Sequence, residues 1–271
     1  MTVTTLPPSV RPAALSAQPH AALRTIPALM LREMSSTYGR SPGGYLWAVL
    51  EPVAAISLMS IAFSLILRAP GLGGNFPFFY ASGFLPFSLY MIVSAQVAAA
   101  LRFSRPLLEY PRVSYLDAVL ARFLLNTMTQ MLVLVLVVTG IVAVFDLAPR
   151  IDVAQVGLAV ILAAGLALGV GCVNCFLITC FPVWERVWAI VNRPMFLVSA
   201  VLFLPEDLSP QYRAWLMLNP LSHVTSLARS GFFASYDAVH ASPLYVTGWI
   251  VGLLVVGLFL LALHHKDIVF K

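Results

Sequence analysis

Two charged residues stand beside prolines within otherwise apolar stretches: Arg193 before Pro194, and Glu51 before Pro52. The guanidinium of Arg193 presents a planar fork of donors that suits a phosphate or a carboxylate. Its plainer role is to reach the lipid headgroups from a helix end. Glu51 either pairs with an arginine of the inner face or snorkels to the interface, because a lone carboxylate in lipid is costly. Cys172, Cys175 and Cys180 lie in one apolar run with no His or further Cys nearby. They read as buried thiols, so no metal site is expected. No Gly-Lys-Ser/Thr phosphate loop, His-Glu-x-x-His zinc helix or Gly-x-Ser-x-Gly nucleophile elbow occurs. Glu51 is the one carboxylate in the long apolar runs, so proton-coupled transport has little to work with. The chain carries no recognisable catalytic set.

The elements that must position these residues are membrane helices. Of 271 residues, 60% are hydrophobic and 10% charged, with a mean hydropathy of +0.91. Soluble domains carry about 25% charged residues. Leu46–Leu67 (broken only by Glu51), Pro77–Leu101, Phe123–Phe145, Val153–Trp184 and Ala241–Leu263 are each long enough to cross a bilayer as a helix. Their apolar runs are continuous rather than alternating, which excludes a β-barrel. The predicted class is all-α integral membrane.

Residues 1–22 read as a flexible cytoplasmic tail rich in Pro, Ala, Ser and Thr. Residues 23–44 read as an amphipathic interfacial helix, with Leu23, Ile26, Met30 and Met34 on one side. Residues 45–271 form the transmembrane domain. With both termini inside, the inner segments hold Arg11, Arg24, Arg32, Arg40, Arg102, Arg105, Arg112, Arg122, Arg186, Lys266 and Lys271. The outer segments hold only Arg68, Arg150, Arg213 and Arg229, and this asymmetry favours that orientation. An even number of crossings then requires a sixth, which Val187–Leu204 supplies as a short or broken helix.

Glu206–Ser242 reads as two short re-entrant periplasmic helices hinged at Asn219-Pro220, with Trp215, Leu216, Leu218, Leu221, Val224 and Leu227 at helical spacing. Gly71, Gly73 and Gly74 mark an outer turn. Gly165/Gly169 and Gly248/Gly252 allow close helix approach, within a subunit or at a dimer seam. The aromatics near span ends, including Tyr45, Trp47, Phe84, Phe87 and Trp188, serve as interfacial belts or line a conduit for sugar rings. Arg102–Leu116, with Arg105, Glu109 and Arg112, is a basic cytoplasmic connector or a docking element.

Several motifs, in order, resemble one family. They are Leu31-Arg32-Glu33-Met34, Tyr38-Gly39-Arg40, Gly44-Tyr45-Leu46-Trp47-Ala48-Val49-Leu50-Glu51-Pro52 and Gly83-Phe84-Leu85-Pro86-Phe87. Tyr110 through Arg122, Phe181-Pro182, Arg193-Pro194 and Leu218-Asn219-Pro220-Leu221-Ser222-His223-Val224 complete the set. Together they resemble the ABC type-2 transporter permeases, and most closely the inner-membrane permeases of capsular polysaccharide exporters, the KpsM type. Ser35, Ser36 and Thr37 follow the Arg32-Glu33 pair, where such helices often carry basic residues.

The resemblance implies a homodimer with six spans per subunit in the bacterial inner membrane. It implies two separate ABC ATPase subunits that bind ATP and Mg, a periplasmic adaptor, and a lipid-linked anionic polysaccharide as cargo; this chain itself would hold no cofactor. Arg32, Arg40, Arg102, Arg105, Glu109 and Arg112 would then contact the ATPase. Arg193, Tyr45, Trp47, Phe84, Phe87 and Trp188 would line the conduit, and Trp215, Asn219, Pro220 and His223 would form a periplasmic gate. Exporters of O-antigen, teichoic acid or lipophilic drugs share the fold. A carrier without an ATPase is the alternative from another class.

Overall fold

The computed structural model describes residues 21–37, 43–108 and 114–270. The order is α1 (Ala21–Thr37), α2 (Gly44–Ser64), α3 (Phe76–Ala98), α4 (Ala100–Leu108), α5 (Tyr115–Val144) and α6 (Val153–Cys180). Then come α7 (Pro182–Asn192), α8 (Met195–Val198), a 3-10 turn at Pro205–Asp207, α9 (Pro210–Leu216), α10 (Pro220–Phe232) and α11 (Pro243–Phe270). Five of these helices, α2, α3, α5, α6 and α11, are long and apolar enough to cross a bilayer. The chain is therefore an integral membrane protein.

Local chemistry sets the helix boundaries. The Asn75 side chain accepts from the Phe78 amide at 2.9 Å and starts α3. Asp152 accepts from the Ala154 and Gln155 amides at 2.9 and 3.1 Å and starts α6. Each such cap is worth about 1 kcal/mol. The helix of the third apolar run begins well before the run does, at Tyr115. There Ser114 accepts from the Leu116 amide, and Asp117 accepts from the Ser114 amide at 3.0 Å. Hydropathy alone places the start of this helix about two turns too late.

One expected boundary is corrected and one expected break is located. The fourth run does not continue to Trp184: α6 ends at Cys180 and Pro182 opens α7. The break expected within Val187–Leu204 falls at Pro194, which separates α7 from the four-residue α8. A proline lacks the N–H that would continue the helical ladder, and its ring restricts the residue before it. Ala200, at φ 53°, then turns the chain out of helical geometry.

The core is the pairing of α3 with α6. Tyr80, Leu89, Val93 and Val97 of α3 are buried with Ala159, Ala163, Ala167 and Cys172 of α6. Small residues bring the backbones together: a Cβ on Gly171 would lie 2.6 Å from Val97 Cβ, and one on Gly257 would lie 2.7 Å from Cys172 Cβ. Gly165 and Gly169 receive Ile250 and Leu253 of α11, whereas Gly248 and Gly252 have nothing within 4 Å of the added carbon. The first Gly-x-x-x-Gly thus packs inside the subunit and the second faces outward. Leu58 and Ile61 of α2, Leu132 and Val135 of α5, and Val255 and Phe259 of α11 are exposed, as a hydrocarbon-facing surface requires.

The bundle has two distinct ends. At one, α1, α4 and α7 meet the termini of α3, α5 and α6. At the other, the Asp152 amide donates to the Gly231 carbonyl at 2.8 Å, and Phe233 packs edge-on against Phe78, 5.1 Å away. Gly171→Ala should destabilise the detergent-solubilised protein by about 1–3 kcal/mol through overpacking. Gly252→Ala, in open space, should leave its thermal unfolding unchanged.

Candidate functional site

The break after α8 leaves a run of backbone carbonyls without helical partners. In a membrane such groups must be satisfied by protein or by a water-lined cavity. Here one polar stripe of α10 satisfies them. Asn219 Nδ2 donates to the Val198 carbonyl at 3.2 Å and to Ser199 Oγ at 3.1 Å. Ser222 Oγ donates to the Val198 carbonyl at 2.8 Å, and Thr225 Oγ1 to the Ser199 carbonyl at 2.7 Å. Arg229 completes the row. Its Nη1 donates to the carbonyls of Ala200 and Phe203, both at 2.7 Å, and its Nη2 to that of Val201 at 2.6 Å. Asn219, Ser222, Thr225 and Arg229 recur every three to four residues, so they share one helix face.

Arg229 is fully buried. Three carbonyls and the Phe79 ring, 4.7 Å from the guanidinium carbon, replace its hydration. Gly83 makes room for it, since a Cβ there would lie 2.9 Å from Arg229 Nη2. Nearby, Glu206 accepts from the Tyr236 hydroxyl at 2.9 Å, and Arg213 donates to the carbonyls of Pro205, Glu206 and Leu208. The whole Val198–Leu208 turn is thus held by side chains from later in the chain.

His223 secures the other side of α10. Its Nδ1 accepts from the Ser242 amide at 3.0 Å, which makes Nε2 the donor to the Met217 carbonyl at 2.8 Å. Burial pushes its pKa below the usual imidazole range, against the opposing pull of the Met217 carbonyl. The neutral ring's contribution to stability is complete above the ordinary histidine pKa and is lost as pH falls through the lowered one.

At the opposite end Arg122 ties four helices together. Its Nε meets Glu33 Oε1 of α1 at 3.0 Å, with both side chains about 6–7% exposed. Nη1 donates to the Gln96 carbonyl at the end of α3 at 3.0 Å. The guanidinium also lies 4.1 Å over the Phe103 ring of α4. A second pair, Arg102–Glu185, is bidentate at 2.8 and 3.0 Å and joins α4 to α7 in the open. The Arg102 hydrogen bonds hold the Glu185 carboxyl below the usual range, so the pair is complete at neutral pH and is released only in acid.

The residues expected to act are dispersed. Arg193 is exposed at the C-terminal end of α7. Phe84 and Phe87 pack on Phe196 of α8, at 6.4 and 5.6 Å. Trp188 stacks on Trp184, whose Nε1 donates to Asn174 at 2.8 Å. Trp47 is exposed on α2 and Trp215 on α9, and Pro220 opens α10. Arg32 is exposed 5.9 Å from Phe103. Glu51 is exposed, and the carboxylates paired with arginines among the described residues are Glu33 and Glu185. Arg40, Glu109 and Arg112 lie outside the described residues, as do the side chains of Tyr45 and Arg105. Sequence reading set Arg122 and Arg229 among surface cations, yet both are buried. The signal for Arg229 was the polar stripe running through Asn219, Ser222 and Thr225.

The helical membrane domain with a capped break in its later half has relatives. Residues 24–233 match the ABC-2 type transporter family, and the chain belongs to that family. It is 28% identical over 236 residues to the polysialic acid transport protein KpsM of Escherichia coli, covering 87% of this chain and 92% of that one. It is 26% identical over 245 residues to the capsule polysaccharide export inner-membrane protein CtrC of Neisseria meningitidis, covering 90% and 92%. With the capsule polysaccharide export inner-membrane protein BexB of Haemophilus influenzae it shares 23% identity over 245 residues, with the same coverage.

Arg229→Met should leave at least three buried carbonyls without donors, each costing about 1–3 kcal/mol. Thermal unfolding in detergent should fall by roughly 6–20 °C, at about 2 °C per kcal/mol. Arg229→Lys should recover part of the loss, since one ammonium cannot reach all the carbonyls a guanidinium spans.

Proposed function

We propose that this chain is the membrane permease subunit of an ATP-driven exporter that moves capsule polysaccharide across the bacterial inner membrane. The observation that carries this reading is the match, along nearly the whole chain, to relatives named for polysialic acid transport and capsule export. Membership of the ABC-2 type family implies that the energy comes from a separate ATPase, which binds ATP and Mg. Both termini lie in the cytoplasm, and α7 with α8 makes a sixth, interrupted crossing. α9 and α10 are re-entrant from the periplasmic side.

Two copies enclose the conduit, two ATPase subunits dock beneath them, and a periplasmic adaptor receives the lipid-linked anionic polymer. Closure of the ATPase pair presses on Arg102–Leu116 and on α1. Arg193 stands where the crossing is interrupted and engages phosphate or acidic sugars by its fork of donors. Tyr45, Trp47 and Trp188 offer flat apolar surfaces to sugar rings, while Phe84 and Phe87 hold α8 behind them. Trp215, Asn219, Pro220 and His223 form the periplasmic gate, whose frame is the network around Arg229.

In the native host, deletion should abolish surface polysaccharide and cause glycan to accumulate inside. The wild-type gene should restore it fully, and Arg193→Ala should restore it several-fold less at equal protein level. Normal surface polysaccharide in the deletion strain would refute the reading. Full export by Arg193→Ala would remove the role given to that side chain.

A further inference from the structure

We infer that Glu185 and Arg102 are positioning residues that transmit movement of α4 to α7. The inference rests on the permease reading and adds the route by which a push from the ATPase reaches the interrupted crossing. Of the ion pairs among the described residues, Glu33–Arg122 is sealed from water, while Arg102–Glu185 has side chains 60% and 51% exposed. The exposed pair bridges positions 83 residues apart, and both guanidinium nitrogens engage both carboxylate oxygens. A two-point contact resists rotation as well as separation.

The helix it grips is loosely seated. α7 buries none of its residues. Among the described residues, its polar anchor to the spans is the hydrogen bond from Trp184 to Asn174. Pro182 follows the break from α6 at one end, and Pro194 precedes α8 at the other, so the helical hydrogen-bond ladder is interrupted on both sides of α7. α4, in contrast, has a fixed root. It leaves α3 through Ala99, and Phe103 is held under Arg122 and beside Arg32. Arg102 is the residue before Phe103 and reaches across to Glu185. A displacement of α4 about that root therefore moves α7, and with it Arg193 at the far end. Without the tie, α4 moves and α7 stays.

The test uses the complete transporter in the deletion strain and the purified complex with its ATPase. Glu185→Gln removes the tie without altering the α4 surface offered to the ATPase. Export should fall at least five-fold, while ATPase binding and ATP hydrolysis stay within about two-fold of wild type. Glu185→Asp, which keeps a carboxylate facing Arg102, should retain at least half of the export. Wild-type export by Glu185→Gln would overturn the inference and leave the permease reading intact. So would a parallel loss of ATPase binding, or a Glu185→Asp variant as inactive as Glu185→Gln. A deletion strain that keeps its surface polysaccharide would overturn both.

Discussion

Carbonyls freed by a helix break cannot be left bare inside a membrane, and meeting that demand organises the later half of this protein. Pro194 and the turn at Ala200 free them, and the face of α10 bearing Asn219, Ser222, Thr225 and Arg229 accepts the task. Because a side chain must reach each carbonyl, α10 sits deep in the bundle against α6 and α3, with nearly all of its residues buried. Its buried arginine then dictates features elsewhere: the bare Cα of Gly83, the Phe79 ring and the position of α8. A neutral amide or hydroxyl makes one or two such bonds; a guanidinium makes three here and leaves its charge facing dipoles rather than lipid.

The opposite end is arranged on a different principle. One ion pair is buried and one is open to water, and the difference sets what each does. Losing one partner of the buried Glu33–Arg122 pair would strand a charge, which typically costs about 3–5 kcal/mol. It behaves as a fixed rivet for α1, α4 and α5. The exposed Arg102–Glu185 pair adds about 0.2–1 kcal/mol at most to stability, so its value lies in where it connects. The buried α3–α6 core and the clamped α4 contrast with α7, which buries none of its residues.

The long spans were legible because continuous apolar runs of that length have few other solutions. The break at Pro194 was legible because Arg193-Pro194 marks a short or broken helix, but Pro182 falls at the start of α7 rather than simply after a span. The start of α5 was hidden because Asp117 and Arg122 end the charge-free run, while the Ser114–Asp117 capping box extends the helix past it. Buried arginines were missed for a common reason. A cation in a short segment between spans looks solvated until its partners are known, and these partners come from distant parts of the chain. Glu33 stands next to Arg32 in a motif noted from sequence, yet its pairing with a residue of α5 has no sequence periodicity to betray it. Arg229 was better signalled, but the apolar spacing of Leu221, Val224 and Leu227 drew attention to the wrong stripe of the same helix.

The proposed dependence on a separate ATPase makes a sharp demand. The purified chain should be reconstituted into vesicles with and without the ATPase partner isolated alongside it, and uptake of the host's lipid-linked polysaccharide measured. Transport that requires both the partner and ATP hydrolysis is the expected result. Vectorial transport by this chain alone, with no nucleotide hydrolase present, would contradict it.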